Sequence, residues 1–329
     1  MSDSHVKTVL VTGGAGYVGS HCCKAFAQNG WRVVCLDNLS RGWREAVKWG
    51  PLVVADIADR GAVRMTIEEH RPDVIAHFAA YAYVGESVEK PDLYYDNNVA
   101  RTLALLETVR SVRPVPFLFS STCATYGHPR SHVIDETHPQ WPINPYGWSK
   151  LIIERMLADY AAAYALPSIA LRYFNAAGAD PDGEIGERHE PETHAIPLAI
   201  EAALGDGGRF SVFGTDFDTR DGSAVRDYIH VADLAAAHVL AAERLRTLPP
   251  TAEVYNLGTG SGTSVLELVA AVRAATGRDL PVDLAPRRAG DPAVLVADAA
   301  RAEAVLGWRP QHSSIERIID TALRWRMRR

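Results

Sequence analysis

A tyrosine and a lysine stand four residues apart in the stretch Pro145-Tyr146-Gly147-Trp148-Ser149-Lys150. On a helix that spacing puts both side chains on one face. The phenol of Tyr146 is then a candidate proton-transfer group. Free in water a phenol titrates at about pH 10, too high for base work at neutral pH. A nearby ammonium lowers that value, and so does a positively charged ring bound beside it, so Lys150 is read as a group close enough to stabilise the phenolate. Asn144 reads as the helix N-cap and Pro145 as the first helical position, so the helix begins just before the tyrosine. Many helices carry a Tyr-x-x-x-Lys without using it. Its meaning rests on what the chain places beside it.

Residues 7–12 are a short apolar run leading into Gly13-Gly14-Ala15-Gly16-Tyr17-Val18-Gly19 and an apolar helical stretch. Strand, glycine turn and helix in that order make a dinucleotide-phosphate site. Gly13 is expected to allow the tight turn, Gly16 the approach of backbone to pyrophosphate, and Gly19 close packing of helix on strand. The helix N-terminus offers free N–H groups and partial positive charge to the anion. Residues 31–36 read as a second strand ending in Asp37. A carboxylate there bonds ribose hydroxyls and repels a 2′-phosphate, which favours NAD over NADP. Arg41 and Arg44 are read as solvated loop charges. A third strand over 52–57 brings Asp56 toward the adenine. A fourth over 74–80 ends in small residues beside the cofactor, and its His77 is read as a packed residue.

The alternation continues with a helix over 93–112, a fifth strand over 116–120, the Tyr146 helix to about Tyr164 and a sixth strand over 168–173. This is the pattern of an α/β fold, a doubly wound parallel sheet of the Rossmann type, spanning residues 1–175. Ligands gather at the carboxyl ends of such strands. Ser120, Ser121 and Thr122 are therefore expected to point into the crevice that holds the nicotinamide.

From 176 to 194 the chain reads as a long polar loop. Its Glu187, His189, Glu190, Glu192 and His194 lack the helical His-x-x-x-His spacing of a metal site, so they are read as solvated or substrate-facing and no metal is expected. Short elements follow at 210–214, 226–230 and 254–257, with helices near 232–246, 265–276 and 299–306. They are expected to form a smaller C-terminal substrate-binding lobe over 176–329, with some segments returning to the first domain. Arg226 and the pair Arg287-Arg288, which precedes Gly290-Asp291, are either a bidentate diphosphate clamp or surface salt bridges.

The bulk properties narrow the class. With 329 residues and a formal net charge of -6, nothing marks the chain as nucleic-acid binding. Arg324, Arg326, Arg328 and Arg329 read as helix-end and solubility charges. No segment is apolar over the length of a membrane span, and the first five residues carry no apolar signal core. Cys22, Cys23, Cys35 and Cys123 form no Cys-x-x-Cys and read as reduced thiols of a cytoplasmic protein.

With these residues assembled, the chain resembles the extended short-chain dehydrogenase/reductase family, and within it the UDP-glucose (UDP-galactose) 4-epimerases. The glycine turn begins the match. It continues through Val84-Gly85-Glu86-Ser87, Tyr94-Tyr95-Asp96-Asn97-Asn98, Ser120-Ser121-Thr122-Cys123-Ala124-Thr125-Tyr126-Gly127 and Asn144-Pro145-Tyr146-Gly147. Leu171-Arg172-Tyr173-Phe174-Asn175-Ala176, Val225-Arg226-Asp227-Tyr228-Ile229-His230 and Tyr255-Asn256-Leu257-Gly258 complete it. The resemblance implies NAD held by Gly13, Gly16, Tyr17, Val18, Gly19, Asp37, Asn38, Asp56, Ile57, Phe78, Ala79, Ala80, Asn97, Ser120, Tyr146, Lys150 and Tyr173. It implies Tyr146 as acid/base at the sugar O4, Lys150 on the nicotinamide ribose and Thr122 as a partner of O4. It implies a UDP-sugar bound by Ser121, Thr122, Tyr146, Asn175, His194, Phe213, Arg226, Arg288 and Asp291. The implied reaction is 4-epimerisation through a transient 4-keto sugar. The implied assembly is a homodimer in which the helices at 93–112 and 145–164 pair as a four-helix bundle.

The chain departs from that pattern twice. Tyr81-Ala82-Tyr83 stands where several relatives have a lysine near the cofactor, and Leu295 stands where the resemblance places sugar-pocket size. Leucine implies an unsubstituted hexose. UDP-arabinose/UDP-xylose and UDP-N-acetylhexosamine 4-epimerases remain as alternatives. A nucleotide-sugar 4,6-dehydratase needs further acid/base carboxylates after Thr122, where Cys123 and Ala124 stand instead. A non-catalytic NAD-binding protein would be expected to lose Tyr146 or Lys150.

Overall fold

The computed structural model describes residues 6–288 and 291–328. Residues 1–5, 289–290 (with the Gly290 of the sequence motif) and 329 lie outside them. β1 (Thr8–Thr12) is buried along its whole length, as a strand covered on both faces requires. It is followed by α1 (Tyr17–Gln28), β2 (Arg32–Asp37), β3 (Leu52–Val54), α2 (Arg60–His70), β4 (Val74–His77), α3 (Val84–Glu89) and α4 (Pro91–Tyr94). A π-helical stretch, Tyr95–Ala100, joins α4 to α5 (Arg101–Val112). Then come β5 (Phe117–Thr122), β6 (Val133–Ile134), α6 (Pro145–Tyr164) and β7 (Ser168–Tyr173). The second half contains β8 (Asn175–Ala177), α7 (Ala195–Leu204), β9 (Phe210–Phe213), β10 (Val225–Arg226), β11 (Tyr228–His230) and α8 (Val231–Leu245). It ends with β12 (Ala252–Leu257), β13 (Thr263–Ser264), α9 (Val265–Thr276), β14 (Val282–Ala285), β15 (Val294–Ala297), α10 (Ala300–Leu306) and α11 (Ile315–Arg326).

Seven strands form one parallel sheet in the order β12-β7-β5-β4-β1-β2-β3. The strand order reverses between β1 and β4, which opens a crevice at their carboxyl ends. One face of the sheet packs under α1 and α8, around Phe26, Trp31, Leu234 and Trp308. The other packs under α2, α5 and α6, around Ile67, Leu105, Phe117 and Ile153. A separate core, around Ile200, Phe210, Leu268 and Ile319, joins α7, α9 and α11 to β9. Beside it lie a four-stranded sheet, β13-β10-β15-β6, and two strand pairs, β8 with β11 and β9 with β14.

Several expected boundaries move, each for a local reason. β4 stops at His77, because Phe78 N still donates to Thr12 O at 2.8 Å and Ala80 N then turns back onto Phe78 O at 2.7 Å. β3 stops at Val54, and Asp56 turns to accept from Ala58 N. β5 runs two residues past Ser120, to Thr122. The loop expected from 176 begins with β8, which pairs in parallel with β11. The single element expected over 226–230 splits at Asp227 into strands of two different sheets. The element at 254–257 is longer and closes the edge of the main sheet beside β7.

Candidate active site

α6 starts as its sequence dictates. Asn144 Oδ1 accepts from Gly147 N at 2.8 Å, and Pro145 occupies the first turn. The helix thereby presents Tyr146 and Lys150 to the carboxyl end of β5. Lys150 Nζ donates to Ser120 O at 2.7 Å and stands 5.9 Å from the centroid of the Tyr146 ring. Ser120 Oγ and Tyr173 OH are 2.6 Å apart. Thr122 hydrogen-bonds Tyr146 and also accepts from Ala124 N at 3.1 Å.

The electrostatics of this pair differ from the expectation. Burial pushes the Tyr146 phenol up to about 12, with the Thr122 hydrogen bond opposing it. Burial also pulls the Lys150 ammonium down to about 7, against the attraction of Glu154. In the protein alone Lys150 therefore does not acidify the phenol. Desolvation penalises both charged forms and outweighs what each side chain offers the other.

These groups line a cleft of about 1460 Å³ that runs from the glycine turn to the second-half lobe. At its first end Gly13 has φ 77°, and a Cβ there would sit 2.5 Å from Ala79 N. A Cβ at Gly19 would sit 2.2 Å from Gly13 O. Gly16 caps α1 without a side-chain acceptor, so the first-turn N–H groups stay open to an anion. Asp37 is held by Ala15 N at 3.0 Å and Leu39 N at 2.8 Å, and burial raises its carboxyl. This end fits a dinucleotide. Tyr17, Val18, Asn38, Asp56, Ile57, Phe78, Ala79, Ala80 and Asn97 also border it. Asp56 already accepts from Asn38 at 2.9 Å and from Arg101 at 2.6 Å.

At the far end Asn175, His194, Phe213, Arg226, Arg288, Asp291 and Leu295 border the same cleft. Arg226 pairs with Asp291, and the Arg288 guanidinium lies 3.8 Å above the Phe213 ring. Arg287 turns away to Asp216, so only one of the two adjacent arginines faces the cleft.

Ser121 departs from the expectation. Alternate residues of a strand face opposite sides. Ser120 and Thr122 face the cleft, while Ser121 points behind β5 and donates to Glu154 Oε1 at 2.5 Å. There it joins a buried network in which Arg172 binds Glu154 at 2.5 Å and the phenol of Tyr126 at 2.9 Å. His77 is a packed residue held between Thr12 and Thr102, at 2.7 and 3.0 Å, and burial takes it down to about 3.

Two further groups lay beyond sequence reasoning. Arg41 is not a solvated charge. It pairs with Glu86 at 2.8 Å and lies 4.0 Å above Tyr81 and 5.0 Å above Tyr83. The loop around 187–194 borders the cleft and is only partly solvated: Glu190, Pro191 and Thr193 are exposed. Glu187 is buried and contacts both His194 and His189. Burial alone would raise Glu187 and lower the imidazoles. Their mutual contact reverses both, taking Glu187 to about 2 and His189 to about 9, with His194 also raised.

Residues 9–258 match the model of the NAD dependent epimerase/dehydratase family. The UDP-glucose 4-epimerase of Rhizobium leguminosarum bv. trifolii is 54% identical over 97% of this chain and 97% of its own. The structure of UDP-glucose 4-epimerase from Brucella ovis in complex with NAD superposes with a TM-score of 0.94 at 52% identity, covering 97% of this chain and 98% of that one. A UDP-glucose-4-epimerase from Stenotrophomonas maltophila, with bound NAD and formylated UDP-arabinopyranose, gives 0.94 at 40% identity over 98% of both chains. No described helix is long and apolar enough to cross a membrane. Sequence, fold and cleft together make this chain a member of the NAD dependent epimerase/dehydratase family, within the extended short-chain dehydrogenases/reductases.

Proposed function

We propose that this chain is an NAD-dependent UDP-glucose 4-epimerase. One observation carries the reading: the phenol of Tyr146, bonded to Thr122, faces the cleft at the carboxyl end of β5 with Lys150 beside it. Bound NAD would supply the acceptor and donor of a hydride at C4, and a positive ring that lowers the phenol's pKa. Tyr146 takes the proton of the C4 hydroxyl and later returns it. Thr122 orients O4 and relays that proton. Lys150, anchored on Ser120, holds the nicotinamide ribose.

Residues 1–175 bind the dinucleotide and the later lobe holds UDP, through Asn175, Phe213, Arg226, Arg288 and Asp291. Firm contacts to UDP and loose ones to the sugar let the 4-keto sugar turn while its nucleotide stays fixed. A dehydratase would need an acid/base partner just past Thr122. Cys123 stands there, and burial holds its thiol at about 12.

The active unit is a cytoplasmic homodimer. Leu103 of α5 and Tyr164 at the end of α6 are 43% and 47% exposed, apolar surface that a paired helix bundle would cover.

The test is turnover by purified protein, without added NAD, of UDP-galactose, UDP-N-acetylgalactosamine and UDP-arabinose. Conversion of UDP-galactose to UDP-glucose supports the reading, and a 4-keto-6-deoxy product or no turnover of any of them rejects it. Sedimentation as a monomer would reject the dimer.

A further inference from the structure

Four side chains from one loop bring donor atoms to a common point. Glu187, His189, Glu192 and His194 each offer one such atom, all within 4.8 Å of one another. His189 Nδ1 lies 3.2 Å from Glu187 Oε1 and 3.5 Å from Glu192 Oε1. His194 Nδ1 contacts the same Glu187 oxygen. A tetrahedral ion with N and O ligands at about 2.0–2.1 Å sets donor–donor edges of about 3.4 Å. The two His189 separations bracket that edge, and the closer His194–Glu187 contact would open on binding.

The surroundings also point to a ligand. His189 Nδ1 is shielded from solvent and makes no aligned hydrogen bond, although two carboxylate oxygens face it. Glu192 Oε1 is fixed by Thr193 N at 2.8 Å and His194 N at 2.9 Å, the kind of outer support that ligating carboxylates have. The two imidazole rings are 4.9 Å apart, so one divalent ion between them could take both nitrogens and both carboxylates.

We propose that Glu187, His189, Glu192 and His194 form a binding site for a zinc-like divalent cation. Two imidazoles with two carboxylates suit zinc better than magnesium or calcium, which take oxygen shells. Four protein ligands leave no open position, so the ion is structural. It staples the segment 187–194 along the cleft wall, where His189 lies edge-on to Tyr17 and Tyr83 with ring centroids 6.1 and 5.6 Å away. His194 is then a ligand of the ion and not a free contact to the sugar. Asp180, Asp182 and Glu184 also converge, but the Lys24 ammonium fills that group, at 2.7–2.8 Å from each.

The test uses full-length protein as purified with its dinucleotide, treated with chelator, desalted and titrated with zinc against a chromophoric chelator. One zinc per chain is expected, and cobalt in its place should give the strong visible bands of a four-coordinate site. His189→Ala and His194→Ala should each weaken zinc binding by more than the roughly 10–100-fold cost of losing an outer partner. Asp182→Asn should leave binding unchanged. Failure to retain stoichiometric zinc, a six-coordinate cobalt spectrum, or loss of binding in Asp182→Asn would overturn the site. Circular dichroism checks the fold of each variant. If a histidine variant misfolds, wild-type stoichiometry and the cobalt spectrum decide. The readout is metal content, so its outcome is separate from that of the epimerase assay.

Discussion

The Lys150 ammonium donates to the carbonyl of Ser120 at 2.7 Å, which pins α6 to the carboxyl end of β5. The same contact fixes where Tyr146 stands, one helical turn earlier. It also keeps the ammonium in a buried site, with consequences for pH.

Burial holds Lys150 near 7, against 10.5 for the free side chain. Folding therefore releases a proton between those values, and this residue's contribution to stability rises with pH across that window. Below it the ammonium is charged in the folded and the unfolded chain alike, only the folded chain buries it, and the penalty is full. In dinucleotide-free protein, the Tm of wild type relative to Lys150→Met should climb as pH rises from about 7 to 10.5. Parallel curves would refute this.

Removing the Tyr146 hydroxyl should separate chemistry from binding. Tyr146→Phe is expected to lower kcat by about 10²–10⁴-fold, the usual range for a lost acid/base group. NAD should stay bound, read from the absorbance of protein released by denaturation. Unchanged turnover would move the base elsewhere.

Asp37 accepts two backbone N–H bonds and borders the cleft. Asp37→Ala should weaken NAD by about 10–100-fold, as expected for lost hydrogen bonds to a charged group, and raise NADP binding relative to NAD. Titration of stripped protein with both dinucleotides checks the ratio.

Behind β5 the prediction concerns stability. Arg172 and Glu154 are 4% and 6% exposed, so Glu154→Gln strands a buried guanidinium. A loss of about 3–5 kcal/mol in urea unfolding is expected. Ser121→Ala should lower stability by about 1 kcal/mol and leave the KM for UDP-sugar unchanged. A raised KM would return Ser121 to the substrate site.

Leu295 borders the cleft on β15, in register with Arg226. Leu295→Ser should improve the ratio of UDP-N-acetylgalactosamine to UDP-galactose turnover by about tenfold or more, the scale for a change in pocket volume. An unchanged ratio would mean that another residue sets the size of the pocket.

Much of this was legible in the residues. The glycine turn, the N-cap at Asn144 and the strand runs are local signals, and each lies where its own chemistry requires. Asp37 and Lys150 reach one cleft because parallel strands end at one edge. What failed was non-local or a matter of one residue. Ser121 was misplaced because a strand end judged two residues short hides which way its last side chains face. Arg41 looked like loop charge because Glu86 and Tyr81, its partners, come from a distant segment. Glu187, His189, Glu192 and His194 read as separate loop residues because their contacts form across an irregular turn and not along a helix. The electrostatic inversion at Lys150 was hidden too, since burial is a property of the packed chain.

The last partner of the main sheet is translated late. A ribosome that has delivered the first half leaves Ser168–Tyr173 with a bare outer edge until Ala252–Leu257 arrives to zip onto it. An excised cofactor half would carry that sticky border permanently and tend to self-associate. The two halves of the chain are therefore joined through one sheet, and the first half lacks an edge partner until the second supplies it.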